Sequence, residues 1–197
     1  EAELRRLAPG YARLVLREPC LLLPGDRFII RRFSPVATIG GGVVLDNGGY
    51  RYRRKESAAA RLGVLAAGSP AERAALLVRE ARYGLSIAGL VARTGAPVPP
   101  SDAFLVLEGP PAWALDRAWI QAAFARLSGA LDAFHRANPL LPGMPKEELR
   151  GKVLPDSPPF LLDALLSRAP GVVSDGDTVR LALHRVVLKQ DEDRALE

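Results

Sequence analysis

The sequence contains a single cysteine, Cys20. No intramolecular disulfide can form, and neither a cysteine-rich metal site nor a thioredoxin-like pair is available, so a reducing cytoplasmic setting is the natural reading. No apolar run approaches the ~18 residues of a membrane-spanning helix. The opening residues, Glu1-Ala2-Glu3-Leu4-Arg5-Arg6, lack the basic-then-apolar order of a signal peptide, and no methionine precedes them. The sequence has two histidines, His135 and His184. Spacing puts no nucleophile beside His135, which disfavours a catalytic or metal role and leaves a helix-face histidine bonded to the Asn138-Pro139 turn as the expectation. No Gly-x-x-x-x-Gly-Lys-Ser/Thr segment occurs, which excludes a P-loop nucleotide site from these 197 residues. Together these absences predict a chain with no cofactor, metal or catalysis of its own.

Hydrophobic residues make up 48% of the chain and charged residues 25%, the balance of a packed globular protein. The length suits one large domain or two to three small ones. The formal charge is +5, and its position is more informative than its size. Residues 1–55 hold 11 Lys/Arg against 5 acids, whereas the remaining 142 residues hold 16 basic and 17 acidic groups. A phosphate-rich partner should therefore meet the first quarter of the chain.

That quarter has the pattern of strands. Tyr11 to Arg17 alternates, with Ala12, Leu14 and Leu16 on one face, the period of a half-buried strand. Pro24-Gly25-Asp26 is a turn signal. It leads into Arg27-Phe28-Ile29-Ile30-Arg31-Arg32, a Ser34-Pro35 break, and a third apolar run from Thr38 to Asp46. A few short strands cannot bury two faces alone, which predicts a partial sheet or barrel. Gly40-Gly41-Gly42 could cradle a phosphate but lacks the Lys-Ser/Thr and helix of a P-loop; β-branched residues follow, so a bulge or close backbone crossing is favoured. Arg51-Tyr52-Arg53-Arg54-Lys55 reads either as a backbone clamp on RNA, with Tyr52 free to stack, or as a solvated connector.

Beyond it the periodicity becomes helical. Ser69-Pro70-Ala71-Glu72 is a capping box, followed by Ala74, Leu77, Val78 and Ala81 on one face, with Gly84 as the stop. Ser86 to Gly95 is a second short capped helix, and Ala103 to Leu107 a strand. Helix, short helix and strand in this order predict a winged-helix domain. Ile120, Ala123, Phe124, Leu127, Leu131 and Phe134 form one stripe on a long helix near 116–137, with a break expected at Ser128-Gly129. Pro145 marks a helix start, Ser157-Pro158-Pro159 opens a helix from Phe160 to Arg168, and Asp175-Gly176-Asp177 is a hairpin tip rather than a calcium site. Three helices and a hairpin make a second winged helix. Trp113 and Trp119 read as core or interdomain filler, with RNA stacking as the other use.

Two segments carry a family resemblance. The run Pro24-Gly25-Asp26-Arg27-Phe28 to Ser34-Pro35, then Thr38-Ile39-Gly40-Gly41-Gly42, resembles the closing strands of the third domain of the selenocysteine-specific (SelB) translation elongation factors. His135, Asn138-Pro139-Leu140 and Gly143-Met144-Pro145-Lys146-Glu147-Glu148-Leu149-Arg150 resemble the HxxNPLxxGxPKEELR signature of that family's second winged helix.

The resemblance implies an α+β multidomain chain: a partial antiparallel barrel like domain 3 of elongation factor Tu, then two winged helices. The implied boundaries are 1–49 for the barrel end, 50–123 and 124–184 for the winged helices, and 185–197 for the lead-in to a third. The parent protein would deliver selenocysteinyl-tRNA to UGA codons on the ribosome, with GTP and Mg held in a GTPase domain outside this chain. It would act as a monomer, and modules beyond this chain would hold the selenoprotein mRNA hairpin. Arg27, Arg31, Arg32, Arg51, Tyr52, Arg53, Arg54 and Lys55 are the tRNA-side candidates. Lys146, Arg150, Lys152 and Arg180 are weak candidates in the second winged helix, where acids offset them. The rival function is a winged-helix transcriptional regulator reading DNA. It requires a basic recognition helix, and Pro159 to Arg168 offers only Arg168 against Asp163. A spacer or protein-interaction arm also fits the helical part.

Overall fold

A computed structural model describes residues 1–48, 50 and 55–184. The chain divides into two compact units, Glu1–Asp116 and a second that begins at Arg117. The fold is mixed, with small antiparallel sheets and helices.

The first unit opens with a strand that period-two reading overlooks, β1 (Ala2–Ala8), paired antiparallel with β2 (Tyr11–Leu16). Its mixture of acids and arginines hides β1 from any apolar count. The expected half-buried face of β2 forms only in part: Leu14 is half-buried, whereas Ala12 is exposed and Leu16 is 38% exposed. The hairpin's turn end is covered instead, where Ala8 is buried and Leu7 and Tyr11 pack against the helical core. A second hairpin joins β3 (Arg27–Arg32) to β4 (Ala37–Val43) across Ser34-Pro35, which is cis. The two hairpins belong to separate two-stranded sheets, and no closed barrel forms among the described residues. Within the glycine triplet Gly41 serves a close backbone crossing, Gly42 faces a ring, and Gly40 has open space around it. A Cβ on Gly41 would lie 2.5 Å from the Phe28 carbonyl oxygen, and one on Gly42 would lie 2.8 Å from the Phe28 ring.

The helical part of this unit contains α1 (Lys55–Ala67), α2 (Pro70–Glu80) and α3 (Ile87–Thr94). The connector reading misses α1: Lys55 is its first residue, and the signal is the alanine-rich run Ala58-Ala59-Ala60, a strong helix former without a clear apolar stripe. The capping box of α2 is present, with the Glu72 N–H donating to Ser69 Oγ at 3.2 Å and the Ser69 N–H donating to Glu72 Oε2 at 2.7 Å. Ser86 caps α3 through the Gly89 N–H. Three strands complete the winged helix: β5 (Leu85–Ser86), β6 (Phe104–Leu107) and β7 (Trp113–Asp116), with β7 central. Trp113 lies half-buried on β7, and its indole N–H donates to the Tyr83 carbonyl at 2.7 Å. Gly84 holds the turn before β5 at φ +71°, and a Cβ there would sit 2.1 Å from the Ala114 carbonyl oxygen, so no other residue fits. Leu62, Leu65, Leu77, Val78, Leu90 and Phe104 form the core.

The second unit is organised on α4 (Arg117–Ala137), which runs unbroken through Ser128-Gly129. The apolar stripe holds it together: Ile120, Ala123, Leu127, Leu131 and Phe134 are all buried, so packing outweighs the weak helix propensity of one serine and one glycine. Then come α5 (Lys146–Val153) and α6 (Leu161–Leu166). A three-stranded sheet has β10 (Thr178–Leu181) between β8 (Met144–Pro145) and β9 (Val172–Asp175). Pro145 therefore ends a strand and occupies the N-cap position before α5. Gly176 takes φ +53° at the hairpin tip. Met144, Leu149, Leu154, Leu161, Leu165 and Val179 are fully buried, each worth about 1.5–3 kcal/mol over exposure. The lead-in at 185–197 lies outside the described residues.

Candidate nucleic-acid interface

On β3, side chains alternate, so Arg27, Ile29 and Arg31 share one face while Phe28, Ile30 and Arg32 share the other. All three arginines are exposed. Among the described residues Arg27 and Arg31 have no acidic partner, and Arg32 donates only a long bond of 3.4 Å to the Pro35 carbonyl. By contrast, Arg5 pairs with Glu3 at 2.9 Å, and Arg17 with Glu1. Among the described residues, all three arginines of the β3–β4 hairpin lack an acidic partner, as does exposed Arg6 on β1. The hairpin arginines stand among exposed apolar groups: Ile29 is 73% exposed and Ile39 62%. Arg51, Tyr52, Arg53 and Arg54 lie outside the described residues, and of Lys55 only the backbone is described.

The weak candidates of the second winged helix are otherwise engaged. Lys146 pairs with Asp163 at 3.0 Å, Lys152 with Glu148 at 2.7 Å, and Arg150 with Glu147 at 3.7 Å while also donating to the Ser157 carbonyl. Arg180 donates to the Leu181 carbonyl at 3.4 Å. Three of these four cations are neutralised by neighbours in their own module, so its face is not one-signed. The helix expected to read DNA in the rival reading, α6, buries Leu161, Leu162, Leu165 and Leu166.

Behind the hairpins lies a charged junction that spacing alone could not reveal. Arg61 of α1 is 5% exposed. It donates through Nε to both Glu80 carboxylate oxygens at 2.7 and 2.9 Å, and through Nη2 to Asp46 at 2.6 Å. Asp46, just past β4, also meets Arg93 of α3 at 3.3 Å and accepts the Gly48 N–H at 2.8 Å. The Tyr50 ring lies 4.2 Å from the Arg61 guanidinium carbon. Burial alone would lower the Arg61 pKa; its hydrogen bonds to Glu80 and Asp46 outweigh that and raise it above the ordinary arginine value. The partners lie 15, 19 and 47 residues apart in the chain, so no local pattern announces them. They tie the strand that leaves the hairpin to all three helices of the first winged helix.

His135 is buried, but not against the Asn138-Pro139 turn. Its Nε2 accepts the Leu181 N–H at 3.3 Å, its ring stacks on His184 with centroids 3.6 Å apart, and its Nδ1 has no hydrogen-bond partner among the described residues. Asn138 instead donates to the Phe134 carbonyl. The histidine reaches across to β10 because α4 packs on that strand. Desolvation, with the His184 neighbour adding to it, lowers the His135 pKa. Trp119 is half-buried on α4, with Arg126 5.8 Å from its ring centroid. Among the described residues no cluster of three or more His, Cys, Asp or Glu could hold a metal, and no helix is long and apolar enough to cross a membrane.

Comparison with known proteins joins these parts. Residues 1–50 match the family model described as the selenocysteine-specific elongation factor β-barrel domain, and residues 129–181 match that of the elongation factor SelB winged helix. A selenocysteine-specific elongation factor from Desulfomicrobium baculatum is 30% identical over 184 aligned residues, which cover 85% of this chain and 29% of that protein. A crystal structure of a bacterial selenocysteine-specific elongation factor, EF-Sec, has the same fold with a TM-score of 0.67 at 17% identity. It covers 98% of this chain, which spans 31% of that one. The chain therefore spans under a third of either relative. With both its barrel strands and its second winged helix matched, the chain belongs to the selenocysteine-specific elongation factor family.

Proposed function

We propose that this chain is the segment of a translation factor that joins its tRNA-side barrel to its mRNA-side modules. The β3–β4 hairpin and the basic stretch after it contact the backbone of selenocysteinyl-tRNA, and the winged helices serve as an arm. The observation that supports this division is the state of the cations. Arg27, Arg31 and Arg32 are exposed without acidic partners among the described residues, whereas three of the four winged-helix candidates are paired. Unmatched exposed cations position phosphates without reading bases. The apolar face that the hairpin exposes fits a barrel whose other strands lie outside this chain. In the parent protein GTP and Mg belong to a GTPase domain, the working site is the cytoplasmic ribosome, and selenoprotein mRNA is held by later modules. This segment acts as a monomer without catalysis of its own. No observation favours the DNA-reading alternative over this one.

Filter binding of the chain to tRNA at rising salt tests the reading. The logarithm of affinity should fall linearly with the logarithm of salt. Replacing Arg27, Arg31 and Arg32 with alanine should flatten that slope by about one unit for each phosphate that is no longer neutralised. Alanine at Arg51, Arg53 and Arg54 should act the same way. Alanine at the paired Lys146 and Lys152 should leave the slope unchanged. An equal fall in slope from all three sets would refute the division.

A further inference from the structure

A cleft of about 220 Å³ lies within the first unit, where the end of β4 meets the helices. That is far more than the ~10–15 Å³ one water requires. Its walls include Pro24, Val43, Leu45 and Leu65, and its charged lining residues are both arginines, Arg73 and Arg93. Among the described residues no carboxylate lines it. The Nε of each arginine is buried and has no hydrogen-bond partner among the described residues. Such a donor, removed from water, is destabilising until an acceptor meets it.

The two arginines are not equivalent. Arg93 meets Asp46 at 3.3 Å and lies in the last turn of α3, where helix carbonyls favour a cation. Asp46 and Glu80 together balance Arg61 and Arg93, so that network is neutral. Arg73 adds a charge outside that network. It has no acidic partner among the described residues, and it lies near the start of α2, the end of a helix that disfavours cations. Its neighbour Glu72 is engaged in capping Ser69.

We propose that the cleft is a phosphate seat, in which Arg73 and Arg93 together hold a phosphate group that is either free or carried by an RNA backbone. Two guanidinium groups on one cleft suit an anion with several oxygens, because each planar fork pairs with two of them. Apolar walls strengthen the attraction by excluding water. This site stands apart from the proposed hairpin contact with tRNA and survives if that contact fails.

The test follows the Nε–H resonances of Arg73 and Arg93 in the full chain as inorganic phosphate is added, with ionic strength held constant by chloride. Both should shift saturably. Arg73→Ala should weaken phosphate binding by about tenfold or more, and Arg73→Lys should recover part of it, since lysine keeps the charge without the fork. A second titration uses a short RNA duplex. If the duplex moves the same resonances and Arg73→Ala weakens it too, the phosphate belongs to RNA. If only inorganic phosphate moves them, the seat takes the free anion, and the proposal holds in either case. No saturable shift with either probe overturns it, as does unchanged phosphate affinity in Arg73→Ala. Should Arg73→Ala fail to fold, unchanged affinity in Arg73→Lys overturns it equally.

Discussion

The two compact units use charge in opposite ways. In the first, ionic groups are inside: Arg61 is buried between Glu80 and Asp46, while Ile29 and Ile39 stay in solvent. In the second, the buried polar residues His135 and Ser157 are not in ion pairs, the rest of the interior is apolar, from Leu131 on α4 to Val179 on β10, and the ion pairs of Lys146 and Lys152 lie at the surface. Both contain a winged helix, so the fold does not set the difference. The first unit has a hairpin extension, and the contacts of Arg61 and Arg93 with Asp46 tie the chain that leaves that hairpin to the helices. Exposed pairs such as Lys152–Glu148 contribute little, at most about 1 kcal/mol each.

Breaking the junction should have the largest effect. Arg61→Ala leaves Asp46 and Glu80 without their shared cation, and should cost about 3–5 kcal/mol. Hydrogen exchange should report that loss across the first unit, with the amides of α5 and α6 unchanged. Equal loosening in both units would show that the contrast between them is false. Next in size is Leu131→Ala, which should cost about 2–5 kcal/mol in the second unit by leaving a cavity. Ile29→Ala, on an exposed strand face, should stay within about 0.5 kcal/mol in urea unfolding. A large Ile29 effect would mean that the hairpin face is covered in solution. The smallest effect should come from pH. His135 has a depressed pKa when folded, so the unfolded chain binds the extra proton first as pH falls through its ordinary value near 6.5. The stability present above that value should therefore decline as pH drops towards the folded pKa, and His135→Gln should flatten the decline. A slope unchanged in that variant would assign the proton to another group.

Much of the secondary structure is legible in the sequence because its causes are local. The Ser69-to-Glu72 box, the Ser86 cap and the α4 stripe are each complete within a few turns of chain. The family signatures are legible for the same reason, as short contiguous runs. The elements that escape notice have no local signature. The strand β1 is charged, α1 is alanine-rich without a stripe, and β5 and β8 are two residues long and exist only through pairing with β7 and β10. The candidate site divides in the same way. The exposed arginines of β3 are visible as a charge surplus, but Arg61, Arg73 and Arg93 look like any other helix arginines until their surroundings are known.

By itself, then, the sequence determined the family, the order of most strands and helices, and the basic bias of the first quarter, since composition, periodicity and short motifs are properties of neighbouring residues. Only the tertiary structure decided which cations are matched and which are not. The buried pairings of Arg61 and Arg93 join groups 15 to 47 residues apart, beyond the reach of any local pattern. For the same reason the tertiary structure turned His135 from the nearby Asn138-Pro139 turn towards Leu181, 46 residues away.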